Sequence, residues 1–182
     1  DFSGQRVAII GTGSSAIQAI PIIAQQAETL FVFQRTPNFS VPARNGLLDP
    51  NYESEIKSRY KEFRAENAAQ AGGLHTKIND VSALAVDEAT RQSVFEDRWE
   101  EGGLPFLSSF NDIGLDRAAN DTAAEFIREK IREIVDDPKV AELLCPDTTV
   151  GCKRPCVDTN YYATFNLPHV HLVDISKEPI EE

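Results

Sequence analysis

Arg6-Val7-Ala8-Ile9-Ile10-Gly11-Thr12-Gly13-Ser14-Ser15-Ala16 sets an apolar, largely β-branched run against a glycine-rich turn. The run reads as a strand that stops at Gly11. After the turn, Ile17, Ile20, Ile23 and Ala24 recur at helical spacing, and Thr29 to Phe33 (TLFVF) forms a second apolar run. Strand, helix and strand within about 30 residues is the pattern of a βαβ unit, whose parallel strands are covered on both faces. Pro21 removes one backbone bond from the helix and predicts a kink there.

The turn itself fits G-x-G-x-x-G/A and lies where that pattern carries chemistry, between a strand and a helix. Gly11 permits the tight turn. Gly13 lets the backbone approach a pyrophosphate, and Ala16 lets the helix pack close to the strand. The first-turn amides lack internal acceptors and sit at the positive end of the helix dipole, which suits an anion. No Gly-Lys-Ser/Thr follows, so this is not a Walker loop, and it is not a G-x-S-x-G nucleophile elbow.

The end of the second strand bears on which dinucleotide is bound. A site built for NAD places Asp or Glu there to hold the ribose 2′-hydroxyl. This chain has Gln34-Arg35-Thr36 instead, with Arg35 lying 22 residues after Gly13. A carboxylate repels a 2′-phosphate, whereas a guanidinium offers it a charge-assisted fork. NADP(H) is therefore the expected cofactor.

Downstream the pattern turns helical from about Leu47 to Val150. Asp87 is placed to cap a helix running to Trp99 and Gly102-Gly103. Ala123, Ile127, Ile131 and Ile134 share a face of another, and Asp137-Pro138 opens a short third helix through Leu144. Val170 to Asp174 (VHLVD) reads as a strand again. The expected architecture is α/β: a Rossmann-like parallel sheet built from residues 1–46 and 151–182, with residues 47–150 as a large helical insertion.

Composition sets the outer limits. The chain has 182 residues and a net charge of −11, which argues against nucleic-acid binding. No apolar run approaches the roughly 20 residues of a membrane span, and no signal-peptide pattern opens the chain. Residues 1–48 carry Arg6, Arg35 and Arg44 against Asp1 and Glu28 and net +1, whereas residues 49–144 net −9. The acidity thus belongs to the helical middle, as a solvated face. Three cysteines without such a signal fit free thiols in a reducing cytoplasm. Cys145, Cys152 and Cys156 lack knuckle spacing, and two prolines interrupt them, so no metal is expected. Alternation puts His169 and His171 on one face of the last strand, toward solvent or a loop. Glu100-Glu101 and Asp136-Asp137 have no nucleophile near them. Tyr161, Tyr162 and Phe165 read first as core. The absence of Met suggests a piece of something longer.

Residues Asp1 to Ala43, with DFSGQRVAIIGTGSSAIQ and FVFQRTPNFSVPA, and the later KRPCVDTNYYATFN from Lys153 to Asn166 resemble the NADPH-binding domain of Baeyer–Villiger monooxygenases. The likeness is to the phenylacetone and steroid monooxygenase branch of these class B flavoproteins and runs along essentially the whole chain. The resemblance implies an enzyme that uses NADPH, FAD and O2 to convert a ketone into an ester or lactone. It implies Gly11, Thr12, Gly13, Ser14, Ser15 and Gln18 along the pyrophosphate, and Arg35, Thr36 and Lys153 at the 2′-phosphate. Arg154 matches the family's active-site arginine. A guanidinium stays charged at any working pH and stabilises negative charge developing on oxygen.

The family's FAD-binding glycine loop and its F-x-G-x-x-x-H-x-x-x-W fingerprint are not in this sequence. They are expected before Asp1, with the closing strands of the domain after Glu182. FAD would be bound mainly by that other domain, and the chain alone is expected to be inactive. An N-hydroxylating or other flavin-containing monooxygenase shares the glycine loop and the arginine, and a non-catalytic NADP(H)-binding module stays open beside it.

Overall fold

The computed structural model describes residues 1–70, 73, 76, 78–178 and 180. Strand β1 (Arg6–Ile10), helix α1 (Ser14–Ala24) and strand β2 (Thr29–Gln34) form the βαβ unit, with α1 continuous through Pro21. The last strand, β5 (Val170–Asp174), joins the far side of β2, giving a parallel sheet in the order β1-β2-β5. The in-register pairing puts Val7, Ile9, Leu30, Val32 and Leu172 on one face, and Ala8, Ile10, Phe31, Phe33 and Val173 on the other.

Only the first face carries the core, with Leu30 and Val32 fully buried alongside Ile17 and Ile20 of α1. Among the described residues the second face is the more open one: Ile10 is 71% exposed, Phe31, Phe33 and Val173 are half-buried, and Phe31 has the Arg6 guanidinium and the His171 ring beside it.

Between β2 and β5 the chain runs out through a short strand β3 (Ser40–Pro42) and returns through β4 (Cys156–Asp158), which pair in parallel. This two-stranded neck has no counterpart in the sequence-based expectations. Beyond it lie α2 (Pro50–Ser58), α3 (Tyr60–Ala69), α4 (Glu88–Glu101), a 3₁₀ turn at Leu104–Ser108, α5 (Arg117–Ile134) and α6 (Pro138–Leu144). Asp87 caps α4 by accepting from the Thr90 amide at 2.8 Å, and Asp137 caps α6 ahead of Pro138.

Helices α4 and α5 enclose an aromatic core in which Phe95, Trp99, Phe106 and Phe126 have ring centroids 5.3–6.3 Å apart. Asn120, 2% exposed, ties α5 to its surroundings. Its Nδ2 donates to the carbonyls of Ile113 and Val150, and its Oδ1 accepts from the Val150 amide. Val150, the residue it holds, lies three residues before Lys153.

A four-residue helix α7 (Tyr161–Thr164) follows β4. Tyr161, Tyr162 and Phe165 are buried, in keeping with the core reading. His169 falls ahead of β5 rather than within it, and its Nε2 lies 2.8 Å from the Ala24 carbonyl, at the C-terminus of α1. Of the two histidines His171 alone is in the strand, so alternation does not place them on one face. Among the described residues no helix is long and apolar enough to cross a membrane.

Candidate functional site

The turn after β1 has the geometry its glycines suggest. Gly11 sits at φ 96°, a conformation that side chains resist, and its amide donates to the Phe33 carbonyl at 2.8 Å. Gly13 is the N-cap of α1, no side chain caps the helix there, and a Cβ built on Gly13 would meet nothing within 4 Å. Open space at that point is what a pyrophosphate requires. Thr12, nearly buried, donates its hydroxyl to the Thr36 carbonyl at 3.2 Å and so ties the turn to the loop after β2.

A cleft of about 380 Å³ opens above the carboxyl ends of β1 and β2. Gly11, Thr12, Gly13, Arg35, Thr36 and Lys153 all line it. Lys153 arrives from a segment more than a hundred residues beyond the other five, and the neck brings it to them. The Cys156 amide donates to the Phe39 carbonyl at 2.9 Å, and the Asn38 Nδ2 lies 3.2 Å from the Cys156 sulfur. Among the described residues no carboxylate lies within ion-pair distance of Arg35 or Lys153. In a chain of net charge −11, the cleft presents two cations that no carboxylate of the described residues neutralises.

Residues missed by sequence reasoning complete the lining: Ile10, Phe33, Asn38 and Ile175. Alternation within β2 was the available signal for Phe33, since Gln34 turns to the covered side and Phe33 to the opposite one, where it lines the cleft with Arg35. Asn38 and Ile175 lie in loops whose course depends on the tertiary fold, so no periodicity reports them.

The remaining expected site residues fall elsewhere. Ser14 and Ser15 open α1 beside Gly13. Gln18, one turn further, lines a neighbouring cleft of about 470 Å³ with Val157, Asp158 and Asn160, not the cleft of the glycine turn. Arg154 is exposed next to Lys153 and does not line the cleft. The cysteines are free, and among the described residues no group of three His, Cys, Asp or Glu side chains is arranged to hold a metal. Burial pushes the Cys156 thiol up, against the hydrogen bond from Asn38 that favours the thiolate.

A larger cleft of about 560 Å³ lies at the carboxyl ends of β3 and β4, lined by Arg44, Asn45, Trp99, Asp158 and Asn160 among others. Its chemistry is that of the neck. Asp158 accepts from the Ser40 hydroxyl at 2.5 Å and from the Tyr161 amide at 2.9 Å. Burial raises its carboxyl above the ordinary aspartate range, and these two donors oppose the shift only in part. A carboxyl raised by folding binds its proton more tightly in the folded state. Its contribution to stability is therefore full below the ordinary aspartate range and lost as pH rises through the folded value. Asp158→Asn keeps the shape and removes this titration. Urea unfolding at about pH 4 to 7 should show the Asn protein gaining on the native one as pH rises; a constant difference would contradict the assignment.

No family model matches the chain. Among curated proteins, the phenazine N-monooxygenase PhzNO1 of Lysobacter antibioticus is 43% identical over 185 residues, a match covering 100% of this chain and 34% of that protein. The cyclohexanone 1,2-monooxygenase of an Acinetobacter species is 40% identical, again over 100% of this chain and 34% of the relative. Among solved structures, an oxidised steroid monooxygenase bound to NADP superimposes with a TM-score of 0.94 at 51% identity, covering 99% of this chain and 35% of that one. The chain thus spans about a third of the length of the proteins it matches.

Proposed function

We infer, from homology over its whole length to Baeyer–Villiger and related class B flavoprotein monooxygenases, that this chain is the NADPH-binding portion of such an enzyme. The observation that carries the reading is the meeting of Arg35 and Lys153 with the Gly11–Gly13 turn in one cleft. Those residues fit the cofactor. The open side of Gly13 admits a pyrophosphate, and the first-turn amides of α1 and the hydroxyls of Ser14 and Ser15 are donors for it. Arg35, Thr36 and Lys153 hold the 2′-phosphate, while Ile10, Phe33 and Ile175 give an apolar wall to the same cleft.

When bound, NADPH would supply hydride, and FAD would supply the centre at which O2 is activated. The chain's own work is to orient the dinucleotide and to offer a charge at the junction between the two cofactors. Arg154 has that second role: an exposed guanidinium beside the cofactor cleft, which donates to negative oxygen atoms of the reacting groups. Gln18 extends the polar edge of α1 toward the adjoining cleft.

The substrate we propose is a ketone, converted to an ester or lactone by a protein working in the cytoplasm. A second reading, oxygenation at nitrogen, is favoured by the match to a phenazine N-monooxygenase. Both readings share the cofactor site.

Equilibrium titration of the 182-residue chain with NADPH and NADH tests the site. NADPH is expected to bind more tightly, with an advantage that shrinks as salt rises. Equal affinities would overturn the reading. Anaerobic mixing with NADPH and free FAD is expected to give no fast, saturable flavin bleaching, because the sequence carries the NADPH turn without the family's FAD-binding glycine loop.

A further inference from the structure

We propose that Gln34 is a positioning residue through which the helical insertion sets the choice of cofactor. The inference rests on the reading of Arg35 as the partner of a 2′-phosphate. Alternation along β2 sends Leu30, Val32 and Gln34 to the covered face of the sheet. The first two are apolar, as a buried parallel strand demands. Gln34 is the exception, at 3% exposed.

Its Nε2 donates to the Leu143 carbonyl at 2.7 Å. Leu143 is in the last turn of α6, where carbonyls have no acceptor role left inside the helix. A carbonyl at that distance also fixes the orientation of the amide, since only the nitrogen end can face it. The other end gains nothing: no protein donor among the described residues reaches the buried Oε1. An unsatisfied buried acceptor costs at least as much as one hydrogen bond returns. Stability alone therefore gives no reason for an amide here.

Position gives one. Gln34 ends β2, and Arg35 is the next residue. On the β1 side the strand end is held by the Gly11 amide on the Phe33 carbonyl, and on the β5 side by the Ile175 amide on the Gln34 carbonyl, at 2.8 and 2.9 Å. Both of those bonds stay within the sheet and its loops. The Leu143 contact reaches the insertion. There α6 is locked to α5 by Arg132, whose Nε lies 2.7 Å from Glu142, and the segment after α6 is held by the Arg128 Nε on the Pro146 carbonyl at 2.8 Å. The path from the insertion to the cofactor-selecting guanidinium is one side chain long.

Gln34→Met keeps the length and apolar stem and removes the bond. The test is equilibrium titration of the native chain and this variant with NADPH and with NADH, alongside a thermal melt of each. In the variant, NADPH is expected to weaken about three- to tenfold, NADH to change less than about twofold, and the melting temperature to hold or rise. An unchanged NADPH-to-NADH ratio, or equal weakening of both, would overturn the proposal by reducing Gln34 to a packing residue. A native chain with no preference for NADPH would instead strike at the reading of Arg35, and the proposal would fall with it before the variant is compared.

Discussion

Arg35→Ala is expected to weaken NADPH about ten- to a hundredfold while leaving NADH nearly unchanged, because a hydrogen bond to a charged group contributes roughly 1.5–3 kcal/mol. The guanidinium is exposed at the mouth of the cleft and shares it with Lys153. NADH lacks the phosphate, so it has nothing to lose from the change. Arg35→Lys separates charge from shape: a lysine supplies the cation without the planar fork, and it should recover part of the loss. Fluorescence titration of the reduced nicotinamide reads both cofactors in one format. If NADH weakened as much as NADPH, Arg35 would be holding the loop and not the phosphate.

The second large effect is on stability and lies at the far side of the neck. Gly102 ends α4 at φ 79° and ψ 172°, a region that only glycine enters without strain. A Cβ there would stand 2.5 Å from the Arg44 Cγ and 2.7 Å from the Pro42 carbonyl oxygen. The arginine stem can swing aside. The carbonyl cannot move freely, because it also accepts from the Gly103 amide at 2.7 Å, and Pro42 belongs to β3. Backbone strain of about 1–3 kcal/mol and overpacking of a similar size put Gly102→Ala at roughly 4 kcal/mol destabilised. For a chain of this length that lowers the melting temperature by about 8–16 °C. Gly103→Ala is the control. It also sits at positive φ, but its Cβ would meet only the Pro105 Cδ, at 3.4 Å. It should show the strain without the collision, and equal losses in the two variants would refute the steric half of the argument.

The parts of this molecule legible in its sequence are those written in short range. β1, α1 and β2 follow from apolar runs on either side of a glycine turn. Asp87, Asp137 and Gly102 mark helix ends because capping is settled within four residues. The cleft around Gly11, Gly13 and Arg35 follows from the same local grammar. Lys153 entered by resemblance alone, since nothing local distinguishes it from any exposed lysine. The neck was not legible at all. β3 and β4 are three residues each, too short for a period, and what defines them is their pairing across 116 positions, Ser40 with Cys156. Gln34 and Asn38 belong to the same class: the sequence shows polar residues beside an arginine, and only the tertiary structure reveals that one turns to α6 and the other to Cys156.

That long pairing also bears on the order in which the molecule can assemble. The β1-α1-β2 unit closes over fewer than 30 residues, and α4, α5 and α6 are contiguous in the chain, so both can form early. β5 must find β2 across the whole insertion, and the neck strands must find each other across nearly as much. Loop-closure entropy makes such contacts late to form. The cleft needs Lys153 and Ile175 from that late-arriving segment. On a folding chain, the glycine turn would therefore stand complete while the cofactor site still lacked its second cation, and ligand affinity would be among the last native properties to appear.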